Sequence, residues 1–135
     1  MLKEILSISG QGGLFKVISQ GKNSLIVESL IDGKRMPAHA SSRISALEDI
    51  SIYTEEGDIK LSEVLKRIND KENGGPAIDP KSSNDQLKAY FAQVLPEYDK
   101  ERVYVSDIKK VINWYNILQT RSMLDFASSS EKIVE

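Results

Sequence analysis

Between residues 13 and 53 the apolar positions come in short alternating runs separated by turn residues. Leu14-Phe15-Lys16-Val17-Ile18-Ser19 and Ser24-Leu25-Ile26-Val27-Glu28-Ser29-Leu30 are rich in β-branched and aromatic residues and too short for helices, so both are predicted strands. Gln20-Gly21-Lys22-Asn23 joins them as a hairpin, because Gly21 and Asn23 tolerate the positive φ of a tight turn. Asp32-Gly33 suits a type I′ turn after the second strand. A third strand is expected from about Lys34. Pro37 has no N–H to give to a ladder, which makes 35–40 an edge strand or a bulge. Ile44 and Leu47 lead, through a turn or single helical turn at Ala46-Leu47-Glu48-Asp49, into the alternating run Ile50-Ser51-Ile52-Tyr53, which would close the sheet. The expectation for residues 1–59 is a small five-stranded β-barrel of SH3-like or Sm-like size, with one row of each strand buried and the other solvated.

Elsewhere the apolar spacing is helical. Leu2, Ile5 and Leu6 share one helical face before Gly10-Gln11-Gly12-Gly13, where one helical turn and an extra strand both fit. After the polar turn Glu55-Glu56-Gly57-Asp58, Ser62 is a good N-cap, and Leu61, Val64, Leu65 and Ile68 predict a helix over 62–71. Asn73-Gly74-Gly75-Pro76 ends it and opens a linker through Lys81-Ser82-Ser83, with a domain boundary near position 75. Ser83 and Gln86 form a capping box ahead of Leu87, Tyr90, Phe91, Val94 and Leu95, an amphipathic set stopped by Pro96. Ser106 and Asp107 mark the start of the longest helix, with Ile108, Val111, Ile112, Tyr115 and Leu118 on one face and an extension through Ser122 and Met123. The chain reads as α+β: the small barrel over 1–59, a short helix and the linker start over 60–75, a C-terminal helical region over 76–127 and a frayed tail over 128–135.

Composition narrows the chemistry. With 135 residues, 40% hydrophobic, the chain suits one domain or two very small ones. Eighteen Lys and Arg against twenty Asp and Glu give a formal charge of -2, so there is no global pull toward nucleic acid or an anionic membrane. The absence of cysteine removes disulfides, thiolate metal sites and thiol nucleophiles. The first ten residues include Glu4 and no uninterrupted apolar stretch, so they do not read as a signal peptide, and no run approaches the roughly 20 apolar residues that span a bilayer. The expected compartment is the cytoplasm, without membrane attachment.

Most candidate motifs dissolve on inspection. The glycine run 10–13 lacks a third glycine at position 15, where Phe15 stands, and has no following Lys-Ser or Lys-Thr, so it reads as a plain turn. His39 is the sole histidine and has no Gly-x-Ser-x-Gly elbow to serve, which favours a surface or edge-strand role. The acid pairs Glu48-Asp49 and Glu55-Glu56 occupy neighbouring positions that point apart and do not make a two-carboxylate site. No catalytic residue, metal ligand set or cofactor site is expected.

Two surfaces remain. Lys22, Lys34 and Arg35, with His39 nearby, sit at hairpin turns near Phe15 and Tyr53, and small barrels use such basic loops and rings to hold single-stranded nucleic acid. Against this, residues 1–59 carry six Lys or Arg and eight Asp or Glu. Lys110, Trp114 and Arg121 fall on nearly one stripe of the last helix, an aromatic and cationic combination that suits a protein partner. The plainer reading, in which Trp114 covers the core margin beside a solvated Lys110, is preferred. The roughly ten residues between Leu95 and Ser106 are too many for a helix-turn-helix.

Two stretches resemble a known family. The segment from Gly13-Leu14-Phe15-Lys16 through Val27-Glu28-Ser29-Leu30, followed by Gly33-Lys34-Arg35-Met36-Pro37, is similar to a family of uncharacterised bacterial proteins from the Bacteroidetes. Val103-Tyr104-Val105-Ser106-Asp107-Ile108-Lys109-Lys110 with Trp114-Tyr115 resembles the helical region that accompanies it. The resemblance implies a bacterial cytoplasmic protein and carries over no activity, cofactor or catalytic residue.

The expectation is therefore a non-enzymatic binding or adaptor protein acting through protein–protein contacts, at Lys22, Lys34, Arg35 and His39 and at Lys110, Trp114 and Arg121. The alternative is RNA binding through the basic hairpin tips of the barrel. An enzyme would need a deep pocket joining residues such as Glu28, His39 and Tyr53.

Overall fold

Alternation from residue 5 to residue 46 builds five antiparallel strands, β1 (Ile5–Ile8), β2 (Phe15–Gln20), β3 (Ser24–Ser29), β4 (Arg35–His39) and β5 (Ile44–Ala46), in the order β4-β3-β2-β1-β5. The computed structural model describes residues 5–8, 13–22, 24–39 and 43–121. The glycines at 10–12, Asn23, the expected extension through Ser122 and Met123 and the tail 128–135 lie outside the described residues.

Register decides which residues meet. Leu6 stands opposite both Phe15 and Ala46, Ile8 opposite Ile44, Val17 opposite Val27, Val27 opposite Met36, and Leu25 opposite Ala38. Because side chains alternate across a strand, all ten lie on one face. Leu6, Ile8, Phe15, Val27 and Ala38 are buried there, while Val17, Leu25, Met36, Ile44 and Ala46 pack against them half-buried. β4 and β5 are the two edges, and among the described residues no ladder joins them, so the strands form a sheet and not a closed barrel.

Ile50-Ser51-Ile52-Tyr53 does not close this sheet. The strand that returns beside β1 is the shorter β5, followed by a 3₁₀ turn at Leu47–Asp49. Two compact units divide between Ile50 and Ser51, and β6 (Ser51–Thr54) belongs to the second, paired with β7 (Gly57–Lys60). The β3–β4 connection also departs from the type I′ expectation. Gly33 alone takes a left-handed φ, 75°, and donates its N–H to Ser29 O at 2.9 Å, while Lys34 donates to Asp32 Oδ1 at 3.0 Å. Asp32 bonds the turn with its side chain and keeps a negative φ.

In the second unit the hairpin leads directly into α1 (Leu61–Lys71), then α2 (Asn84–Val94) and α3 (Val105–Thr120). Ser62 is not the cap of α1; Lys60 holds that position without a side-chain bond. Ser83 and Gln86 do make the reciprocal capping box of α2. α3 starts one residue before Ser106, and its first-turn carboxylate Asp107 accepts the Tyr104 N–H at 3.0 Å. Leu61, Val64, Leu65, Ile68, Leu87, Phe91, Leu95, Ile112, Tyr115 and Leu118 are all fully buried. Phe91 meets Tyr98 edge-on at 5.1 Å between ring centroids, a favoured aromatic geometry.

The segment expected as a linker near position 75 is fastened inside this unit. Tyr115 donates its hydroxyl to Gly75 O at 2.7 Å. The Asn116 side chain accepts from Ala77 N at 2.7 Å and donates to Ile78 O at 3.3 Å. The division into two compact units falls at Ile50, and position 75 lies within the second of them. Among the described residues no helix is long and apolar enough to cross a membrane.

Candidate functional site

The sheet has a second face, built from the positions that alternate with the core. One row across it is Lys16, Glu28 and Arg35, in register on β2, β3 and β4. The next row pairs Ser19, Ile26 and Pro37. A bulge between Val17 and Ser19 sets Ile18 beside Ser19, so both stand against Ile26. Beyond it the backbone register pairs His39 with Ser24, next to the β2–β3 turn that carries Lys22. A solvated sheet face ordinarily carries polar residues. Here its middle is apolar, with Ile18 and Ile26 half-buried and Pro37 exposed. Toward β1 the face ends at Ile5, opposite Lys16 and 2% exposed.

The basic residues expected at the hairpin tips stand apart. Lys22 and Lys34 stand at opposite ends of β3, both exposed. Arg35 is neutralised by Glu28, Nε to Oε1 at 3.1 Å. Asp32 lies beside Lys34, and the Lys34 N–H bonded to its carboxylate holds that group below its ordinary pKa. Phe15, one of the rings expected near these tips, points into the core at 3% exposure. Its alternation with Lys16 could have shown this, since Lys16 shares the outer row with Arg35.

Pro37 explains the open edge. Ser29 N donates to Lys34 O at 2.9 Å, the bond that flanks a non-hydrogen-bonded pair at Glu28 and Arg35. Alternation makes Ile26 and Pro37 another such pair. The N–H that Pro37 lacks would therefore have pointed outward, at the centre of the free edge.

Lys110 on α3 and Arg121 just past its end are exposed, but Trp114 is only 9% exposed. Trp114 follows Val111 by three residues and precedes Leu118 by four, so it falls on the flank of the buried face and is drawn in. The expected stripe keeps its charges without the ring between them.

Sequence reasoning missed two polar groupings in the second unit, because each joins residues far apart in the chain. The Arg102 guanidinium lies 4.3 Å over the half-exposed Tyr53 ring and bonds Asp99 at 2.9 Å. That bond holds the Asp99 carboxyl low and raises Arg102. Beside them Glu55, Asp99, Lys100 and Glu101 line a shallow polar concavity of about 390 Å³. Deeper in, the Tyr90 hydroxyl donates to Glu72 while Lys71 sits 5.4 Å over the Tyr90 ring. Burial first, then the hydrogen bond to Glu72, push the Tyr90 pKa well up from its ordinary value. Among the described residues no group of three or more His, Asp or Glu could hold a metal ion.

Comparison with known proteins places these units. Residues 2–47 match a domain of unknown function, DUF5606, and residues 50–118 match a second, DUF6852, which meet at the structural division. A solution NMR structure from Bacteroides vulgatus, a Northeast Structural Genomics Consortium target, is 52% identical, with a TM-score of 0.77 over 93% of this chain and 91% of that one. The chain belongs to this uncharacterised Bacteroidetes family. No curated protein matches it. The shared architecture is a β-rich N-terminal part followed by helices, as the resemblance implied.

Proposed function

We propose that the chain is a non-enzymatic binding protein of the cytoplasm whose sheet unit meets a protein partner through the outer face of β2, β3 and β4. The apolar row Ile18, Ile26 and Pro37 carries this reading, because it occupies positions a solvated sheet gives to polar groups, inside a rim of Lys16, Glu28 and Arg35. We read the sheet as a half-open SH3-like barrel, since β5 returns beside β1 and Val27, on the core face, is completely buried.

RNA binding is the second reading, and one observation favours it. With the division at Ile50, residues 1–50 carry six Lys or Arg and five Asp or Glu, so the acidic objection drawn from 1–59 falls away. Stacking argues the other way. Phe15 is buried, Tyr53 lies in the other unit beneath Arg102, and no described aromatic residue stands on the outer face.

A photoreactive phenylalanine analogue at position 16, in the full chain expressed in its own bacterium, tests the reading. A discrete protein adduct at 16, absent with the analogue at 110, is the expected result; RNA adducts at 16 would overturn it.

A further inference from the structure

We propose that residues 73–82 form a strap that opens as one piece while the three helices of the second unit stay folded. The strap joins α1 to α2. Asn73 and Gly74 stand in left-handed backbone at one end, with φ of 52° and 83°, and the Ser83 capping box of α2 follows the other.

What the strap lacks is burial. None of its residues is buried, whereas Ile68 before it and Leu87 after it are at 0% exposure. Among the described residues its main chain bonds only to main chain of its own or of the end of α1: Asn73 N to Asp70 O at 3.4 Å, Gly74 N to Asn69 O at 3.0 Å, Gly75 N to Glu72 O and Ser82 N to Asp79 O at 2.9 Å. Side chains of α3 hold it down, Tyr115 at Gly75 O, Asn116 at Ala77 N and Ile78 O, and Gln119 Nε2 at Gly74 O, 3.4 Å. Each such bond is exchanged for one to water when the strap lifts, so its net contribution is small. Ala77, Ile78 and Pro80 are half-buried and Pro76 is exposed, so the strap returns little apolar area of its own to water and regains its conformational freedom.

Two prolines make it one piece. Pro76 and Pro80 fix φ in the middle of the strap, so bending concentrates at its ends. Opening frees the Tyr115 hydroxyl and the side-chain amides of Asn116 and Gln119, whose bonds to the strap all go to main-chain atoms. The closed strap thus covers a row of polar groups on α3 that bonds main chain.

The test is amide exchange in the ¹⁵N-labelled full chain at rising urea. The Ala77 amide is expected to show protection, but about tenfold or more less than that of Ile112 within α3, and its rate should hardly change with urea because the opening uncovers little surface. Tyr115→Phe and Gln119→Ala should each speed exchange at Ala77 by about two- to tenfold, with a smaller change at Ile112, although neither substitution touches the Ala77 N–H. Equal protection and an equal urea slope at Ala77 and Ile112 would show that the strap opens only when the helices unfold, which overturns the proposal. An Ala77 rate indifferent to both variants would show that the fastenings release one at a time, and overturns the single piece. An Ala77 amide with no protection would show that the strap is not closed at all, and overturns it as well.

Discussion

The two units dispose of apolar surface and open edges in opposite ways. In the hairpin and helices, Leu61, Leu65, Ile68, Leu87, Phe91, Ile112, Tyr115 and Leu118 are sealed at 0% exposure. In the sheet, half of the core face stays half-buried, and the outer face carries Ile18, Ile26 and Pro37 besides. The free edge of β6 is satisfied from within its unit, with Glu55 N bonded to Glu97 O at 2.9 Å and Asp99 N to Tyr53 O at 3.0 Å. The free edge of β4 is guarded by a proline. The helical unit seals its aliphatic residues and exposes only the rings of Tyr53 and Tyr104 among its described large hydrophobic side chains, whereas the sheet leaves aliphatic residues half-buried on both faces. That contrast is why the binding role is proposed for the sheet and not for the helices.

Core truncation should expose the contrast most strongly. Phe91→Ala removes a fully buried ring and is expected to cost about 3–5 kcal/mol in urea unfolding. Met36→Ala, at a half-buried position on the sheet, should cost about 1 kcal/mol. Equal losses would show that the sheet is packed as tightly as the helices.

Next in size is the fastening of residues 74–78. Asn116→Ala strands the Ala77 N–H and the Ile78 carbonyl, for an expected loss of about 1–3 kcal/mol. Amide exchange at Ala77 reports on it directly. Unchanged protection there would mean that the segment does not need its helix and behaves as the free linker its composition suggests.

The edge guard should act on association more than on stability. Pro37→Thr restores the outward N–H, so sedimentation should show concentration-dependent self-association, with stability changed by less than about 1 kcal/mol. A variant that sediments like the unsubstituted chain at high concentration would remove Pro37 from this role and reopen strand addition at β4.

What was legible in the sequence was local. Ser83 and Gln86 announce α2 because both partners of the capping box lie within one turn. Phe15 through Ser29 announce a hairpin because alternation and turn residues act over a few positions. Partners were not legible. Alternation at Ile50 through Tyr53 says that a strand buries one side, but not whether it pairs with β1 or with β7, and β5 is too short to advertise itself. Gly74 to Ile78 look like a linker because the groups that hold them, Tyr115 and Asn116, come some forty residues later. The outer apolar row became visible only with register, since Ile18, Ile26 and Pro37 belong to three strands. The basic tips were identified by residue, and their separation along β3 was not.

The smallest expected effect separates two turns that use the same device. Asp32 and Asp99 each accept a backbone N–H two residues on, Lys34 and Glu101, and each has a carboxyl held below the ordinary 3.8. A lowered carboxyl contributes stability that is fully present above its unfolded value, near pH 4, and is lost as the pH falls through the lower folded value. The causes differ in rank. At Asp32 the leading one is the Lys34 N–H, which a neutral amide oxygen also satisfies; at Asp99 it is the Arg102 side chain, which needs the charge. Asp99→Asn should therefore flatten the loss of stability below pH 4 more than Asp32→Asn does, with neither variant shifting the thermal midpoint's dependence on pH between 5 and 8. Both carboxylates are exposed, so the difference is small and shrinks with added salt. If Asp32→Asn proves the more damaging, the Lys34 charge is working across the sheet tip.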